Sequence, residues 1–404
     1  MDDETGASIG RRLCEVRVWR GLSQRAAAEL AGLSGSYLSM IENGQRPVDR
    51  RSTLEALAVA LRVAPSELTG QPYRPKDPIT AEARAMVAAL EVVLAEPALG
   101  DAWVPRGRPW PELVVELDRL NTVYRPAADY AAQGRVLPAL LADLHAAVKH
   151  EPGHRREVLH GLMHCYHAAE ELTKILGLVG LPVLAAVHAQ TVAEELDEPA
   201  WLGLAGWLRA LTVGGASRER SLALAEHTAA ELEPALADSD AVQMYGAVHL
   251  NAALGCAALG RADDAAGHLA EAQAAARAVP VGVPAFGMVY FGVENIGIWR
   301  VSLAVELGEP GRVSEIARLV DPLAVPSTAR RAMFYADLGR GLAAERATRD
   351  RAVAALLTAE EIAPQLVRNN VFVRETVADL FRRTRRDAGG RELRGLAYRM
   401  GLAG

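Results

Sequence analysis

Lysine is nearly missing from this chain. It occurs only at positions 76, 149 and 174, so almost all of the 44 basic residues are arginine, a bias that points to GC-rich codons rather than to a function. Cysteine is scarce too: Cys14, Cys165 and Cys256 are widely spaced and odd in number. That excludes a disulfide framework and suits a reducing cytoplasm. No apolar run approaches the roughly 20 residues of a membrane helix. The start, Met1-Asp2-Asp3-Glu4, lacks the apolar stretch of a signal peptide. The expectation is a soluble, cytoplasmic protein with no membrane partner. A Gly-rich phosphate loop, a nucleophile elbow and a paired-carboxylate motif are also missing, so neither an enzyme nor a cofactor is expected. Any catalytic set would have to be assembled from distant residues.

What is present is concentrated between Gly21 and Pro47. Ser23 is a good N-cap for a short helix, because its hydroxyl can accept an orphan N–H of the first turn. Gly32 follows that helix, where a left-handed residue ends it at little cost. Ser34 caps a second helix and Gly44 ends it. Two short helices around a Gly-containing turn make a helix-turn-helix, whose second helix can enter a major groove. Ile9, Leu13 and Val16 predict an amphipathic helix before the motif. Leu54, Leu57, Ala58 and Leu61 predict one after it, and Pro65-Ser66-Glu67-Leu68 a final helical turn. Leu30, Leu33, Leu38 and Ile41 are expected to supply the central core.

This five-helix arrangement resembles the Cro/C1-type (XRE) helix-turn-helix family of DNA-binding repressors over residues 9 to 70. The resemblance implies double-stranded operator DNA as partner. It places Gln24 where the family contacts a phosphate and buttresses the reading helix. It places Gly35, Ser36, Ser39 and Met40 where that helix faces base edges. Here they are small or apolar, and none makes the bidentate Arg–guanine or Gln–adenine pair. Tyr37 either touches a thymine methyl or a phosphate, or packs on the preceding helix. Asn43, Arg46, Arg50 and Arg51 fall where the family makes backbone contacts, with an ordinary solvated turn as the alternative for Arg50 and Arg51. Positioning contacts and shape readout are expected to outweigh a base code.

Local charge agrees. Between Ile9 and Arg62 nine arginines face five acids, a net of +4 in a chain whose total is −6. The acidic remainder limits indiscriminate adhesion to DNA. So modest a basic patch should bind weakly alone, which points to a homodimer on a two-part operator.

The chain reads as all-α. A helix-turn-helix domain at 1–70 precedes a Pro-rich linker at 71–78 and a helical-repeat sensing and dimerisation region at 79–404. Pro72, Pro75 and Pro78 forbid a continuous helix through the linker. A second break, Gly100 to Pro111, carries Trp103 and Trp110, which are candidates to pin an ordered loop. Beyond it the punctuation repeats. Leu259-Gly260-Arg261 and Leu307-Gly308-Glu309 mark inter-helix turns, with small residues at Ser221, Ala265 and Ala352 where helices cross. About five or six helix pairs between Val136 and Arg386 imply an α-solenoid. The pattern resembles degenerate tetratricopeptide repeats, with an irregular all-helical bundle as the alternative. A Cro/C1-type reader joined to such repeats resembles regulators that sense a peptide or small-molecule effector.

The repeat register places Phe291 and Asn295 on the concave face, with Arg331 and Tyr335 in the next pair. An amide, a cation and two rings could grip an effector, although a core role for each aromatic is the competing reading. His160, His164 and His167 share one helical face at i, i+4, i+7. That spacing matches no zinc-enzyme signature, so structural or surface histidines are expected and a metal or pH-sensing site is the weaker alternative. Together these features predict a sequence-specific transcriptional regulator, more readily a repressor than an activator. The alternative is a DNA-tethered scaffold whose repeats bind a partner protein. A sensor should hold a closed, partly apolar groove, a scaffold an open and charged one.

Overall fold

The computed structural model describes residues 8–73, 77–95, 99, 107–214, 217–280, 283–384 and 390–403. Among these residues the chain is all helical, with no strand. Linker residues 74–76 and the 100–106 part of the Trp-bearing break, Trp103 included, lie outside the described residues.

Five short helices form the N-terminal head: α1 Ile9–Trp19, α2 Gln24–Leu30, α3 Gly35–Glu42, α4 Arg51–Leu61 and α5 Pro65–Thr69. Their boundaries follow the local chemistry. The Ser23 hydroxyl accepts from the Ala26 N–H at 3.1 Å, and the Ser34 hydroxyl from the Tyr37 N–H at 3.2 Å. Gly32 and Gly44 adopt φ of 64° and 67° just past α2 and α3, a conformation that costs a side chain. Ile9, Leu13, Leu38, Ile41, Val48, Leu57 and Leu61 build the head's core. Leu30 does not: it is 61% exposed. In a helix of seven residues the inward face is taken by Ala27, Ala28 and the following Ala31, and Leu30 turns to solvent.

From Tyr130 onward long helices follow one another and pack in sequence. Tyr130–His150, Arg155–Ile175, Gly180–Leu196 and Pro199–Val213 lead into Arg218–Leu232, Ser239–Ala258 and Ala262–Ala278. Each packs on the next, and alternate helices also touch, which is solenoid-like packing. Val293–Glu306, Pro310–Ala317, Thr328–Leu342 and Arg349–Ile362 continue the series. Gly260 and Gly308 lie in the expected turns, both at φ 75°. Ser221, Ala265 and Ala352 are buried where helices cross. A β-carbon on Gly339 would come within 2.6 Å of Leu356, so that crossing is closer than any side chain allows. Among the described residues no helix is long and apolar enough to cross a membrane.

The head does not close its own core. Phe372, from the late helix Val371–Thr384, is 8% exposed and belongs to the head's apolar cluster. The chain after α5 is also tied down. The Gln71 amide donates to the Asn369 carbonyl at 3.3 Å, and the Arg374 guanidinium lies 3.8 Å from the centre of the Tyr73 ring.

Candidate nucleic-acid interface and an internal cavity

The reading helix α3 is held by a charged knot on its inner side. The Glu42 carboxylate accepts from Arg17 of α1 at 2.9 Å and from the Gln24 amide of α2 at 2.8 Å. Burial alone would raise the Glu42 carboxyl, but the hydrogen bonds from Arg17 and Gln24 outweigh it and hold it below its ordinary value. Three helices are thereby fixed at one carboxylate, and Gln24 buttresses α3. Gly35, Ser36, Asn43 and Arg46 are exposed, and Ser39 and Met40 are half-buried. The Asn43 amide donates back to the Ser39 hydroxyl at 3.3 Å. Tyr37 packs on the head's core and borders a shallow groove with Arg46, Asp379 and Arg383.

Arg50 and Arg51 do not stand free beside the reading helix. The Arg50 guanidinium lies so close to Gly308 that a β-carbon there would meet it at 2.6 Å. Arg51, at the start of α4, gives both its backbone N–H (2.8 Å) and its guanidinium to the Glu306 carboxylate. Glu306 also accepts from Arg340 at 2.8 Å. Arg340 in turn donates to Asp337 and to the Asp49 carbonyl, each at 2.7 Å. The side chains of Glu306 and Arg340 are 0% and 2% exposed. Burial opposes both charges, yet the attraction of Arg51 and Arg340 holds the Glu306 carboxyl low, and Glu306 and Asp337 hold the Arg340 guanidinium high. A second tie, Arg218–Glu55 at 3.2 Å, flanks the first. Arg51, which the resemblance places at the DNA backbone, is thus engaged by Glu306, and Arg50 lies against Gly308, so neither sits in an ordinary solvated turn. What the sequence could not show is the acidic surface set opposite them on the helical region.

Residues 8–69 match the family described as a helix-turn-helix domain. This segment is a helix-turn-helix domain. Over 78 residues the chain is 42% identical to the HTH-type transcriptional regulator PuuR of Escherichia coli (strain K12), and likewise to PuuR of Shigella flexneri. That match takes in 19% of this chain, which spans about two-fifths (41%) of the length of those curated relatives. No solved structure matches.

The helical region holds a partly open cavity of about 240 Å³. Its lining includes Phe291 and Asn295 but neither Arg331 nor Tyr335. Arg331 bonds the Thr328 hydroxyl at 2.9 Å, and Tyr335 packs edge-on against Phe334 at 5.2 Å. Their neighbour Arg330 faces the cavity instead, since one residue along a helix turns the side chain by about 100°. Asn295 is a strut rather than a free amide: Nδ2 donates to the Tyr290 carbonyl at 2.9 Å and Oδ1 accepts from Arg330 at 2.8 Å.

The histidine stripe packs on tryptophans. His160 stacks on Trp201 at 4.9 Å and bonds Glu198 at 3.2 Å. His164 meets Trp201 edge-on, and burial pushes its pKa down to about 3. His167 bonds the Gly287 carbonyl at 2.9 Å, with its pKa pushed well below the usual value by burial. His160 and His164 share Trp201 while His167 lies against Trp207, and among the described residues no three His, Cys, Asp or Glu side chains are grouped to hold a metal ion. Sequence reasoning missed Arg17, Glu42, Arg125, Trp207 and the clasp at Glu306. Only the i, i+1 arginine pair Arg330-Arg331 carried a signal, and the helical register picks out the wrong member of it.

Proposed function

We propose that this protein is a sequence-specific DNA-binding transcriptional regulator, acting as a homodimer and more readily as a repressor. The observation that carries the reading is the capped helix-turn-helix, with its Arg17–Gln24–Glu42 knot fixing α3 and its small, exposed residues Gly35 and Ser36 facing outward. The relatives' printed name, a transcriptional regulator, supports it. Arg25 and Arg46 remain exposed near the motif and are the phosphate contacts on this reading. Arg25 is paired only with Glu29 at the surface, at 3.0 Å. Such a pair is worth little and exchanges readily for a phosphate.

The helical region, solenoid-like and similar to loose tetratricopeptide repeats, is the sensor and the dimerisation surface. Its cavity, partly open, partly apolar and only about 240 Å³ in volume, supports a small-molecule effector over a partner protein or a long peptide. The clasp at Glu306 couples the two parts, because Val293–Glu306 carries both the clasp carboxylate and Asn295 of the cavity wall. The protein carries out no reaction of its own on this reading. Genome-wide mapping of bound DNA, followed by mobility shifts with the recovered fragments, tests it. Recovery of a two-part site is expected. Protein lacking residues 8–69 that still shifted that site would end the reading.

A further inference from the structure

The cavity wall carries an excess of positive charge, Arg125, Arg330 and Lys174 against Glu170 and Glu171. Arg125 is 6% exposed and follows the π-helical turn Leu120–Tyr124. Its one hydrogen bond runs from Nη1 to the Asn121 amide oxygen at 3.3 Å, and its Nε has no partner in the protein. Arg330 donates from Nε to Asn295 and lies 4.7 Å over the Trp299 ring, while one terminal nitrogen is buried without a partner. The Trp207 indole N–H is likewise buried and unpartnered. All three side chains line the same cavity. Neither guanidinium makes an ion pair among the described residues. Of the two carboxylates of the wall, Glu170 holds Lys174 at 2.7 Å, and Glu171 accepts from the Tyr130 hydroxyl at 3.1 Å and attracts Arg125 without an ion-pair contact.

Three further features point the same way. The N-terminus of the 15-residue helix Thr328–Leu342 opens on the cavity through Ser327, Ala329 and Arg330, adding the positive end of a helix dipole. The Thr328 N–H donates to the Pro126 carbonyl at 2.9 Å, which fixes the Arg125 turn against the Arg330 helix. The covering loop carries Met288 and Tyr290 at φ 63° and 53°, left-handed values that cost a side-chain-bearing residue and cluster at ligand clamps. Buried donors without acceptors are costly unless a further group supplies the acceptor, and a wall with more cations than carboxylates favours an anion in that place.

We propose that this cavity binds a small monocarboxylate with a compact apolar body, its oxygens received by the free donors of Arg125, Arg330 and Trp207 and its body lying among Leu211, Leu250 and Met333. The site deepens the effector reading above, yet its occupancy can be read without DNA. Full-length protein is titrated with sodium hexanoate or benzoate, with hexylamine, hexan-1-ol and inorganic phosphate at matched ionic strength as comparisons. Melting temperature and calorimetry are the readouts. Saturable binding of a carboxylate is expected, with the amine, the alcohol and inorganic phosphate each at least tenfold weaker. Arg330→Met and Arg125→Met should each weaken it tenfold or more. Trp207→Phe, which keeps an aromatic ring and removes the donor, should weaken it several-fold and serves where an arginine variant fails to fold. Equal binding of amine or phosphate, no carboxylate binding, or full binding by Arg330→Met or Trp207→Phe would overturn the proposal. A mobility shift run alongside separates the two claims: lost carboxylate binding with intact operator binding sinks the site alone, and the reverse sinks the regulator.

Discussion

Two pairs of arginines, each with one member buried and one half-buried, stand in this molecule under opposite conditions. At the clasp, Arg51 and Arg340 converge on Glu306, with Asp337 completing the set. At the cavity, Arg125 is buried and Arg330 half-buried with one terminal nitrogen out of solvent, and neither has a carboxylate in ion-pair contact among the described residues. The electrostatic outcome follows. Arg340 is held above its ordinary pKa by Glu306 and Asp337 against the effect of burial. Burial dominates at Arg330, pushing it down to about 10, and lowers Arg125 as well. The clasp is a finished structural element that fastens the head. The cavity has no such closed set, and a carboxylate ligand of the kind proposed would supply the missing acceptor.

The largest effect is expected at the clasp. Arg340→Met leaves Glu306 buried with one partner, and should destabilise the protein by about 3–5 kcal/mol in urea unfolding. Pairing it with Glu306→Leu should recover only part of that loss, because it removes one buried charge while Asp337 stays buried without Arg340 and Arg51 loses its acceptor. A cost confined to a few tenths of a kcal/mol would mean that the clasp is not formed in solution.

The same substitution at the cavity should behave differently. Arg330→Met removes an unpaired, half-buried charge along with its hydrogen bond to Asn295, so stability should stay within about 1 kcal/mol of the parent. Equal losses for Arg330→Met and Arg340→Met would erase the comparison.

A pH effect comes next. Burial holds His164 neutral with a pKa pushed down to about 3, whereas in the unfolded chain it titrates near the ordinary 6.5. A depressed histidine leaves stability untouched above pH 6.5 and removes it as pH falls toward 3, since only the unfolded state then takes up the proton. Between pH 7 and 5 this should cost about 1–2 kcal/mol, measured as the change in urea midpoint. His164→Phe should flatten that part of the profile.

The smallest effects lie in the free arginines of the head. Arg25→Ala and Arg46→Ala should each weaken DNA binding about equally for all sequences, and each should reduce the log–log salt slope by about one. Stability should not move. Unchanged slopes for both would place the phosphate-binding groups elsewhere.

The helix-turn-helix was legible because its determinants are local. Ser23, Ser34, Gly32 and Gly44 act within one turn of their own positions, and each is found where its chemistry required. Leu30 failed because a short helix offers few residues from which to judge an inward face. The cavity wall was half legible: helical register singled out Phe291 and Asn295, which line it, while an error of one residue replaced Arg330 by Arg331. Arg125 gave no signal, since its neighbours in the wall are distant in sequence.

The sequence by itself determined the all-helical class, the capped motif and the turns at Gly260 and Gly308, since each rests on residues a few positions apart. Only the tertiary structure decided what the arginines do. Arg51 meets Glu306 across 255 positions, and Arg340 reaches Asp49 across 291. Phe372 closes a core made by residues more than three hundred positions earlier. A guanidinium is the same group in every window of sequence, and whether it binds a phosphate, locks a domain or waits in a cavity depends on what the fold sets opposite it.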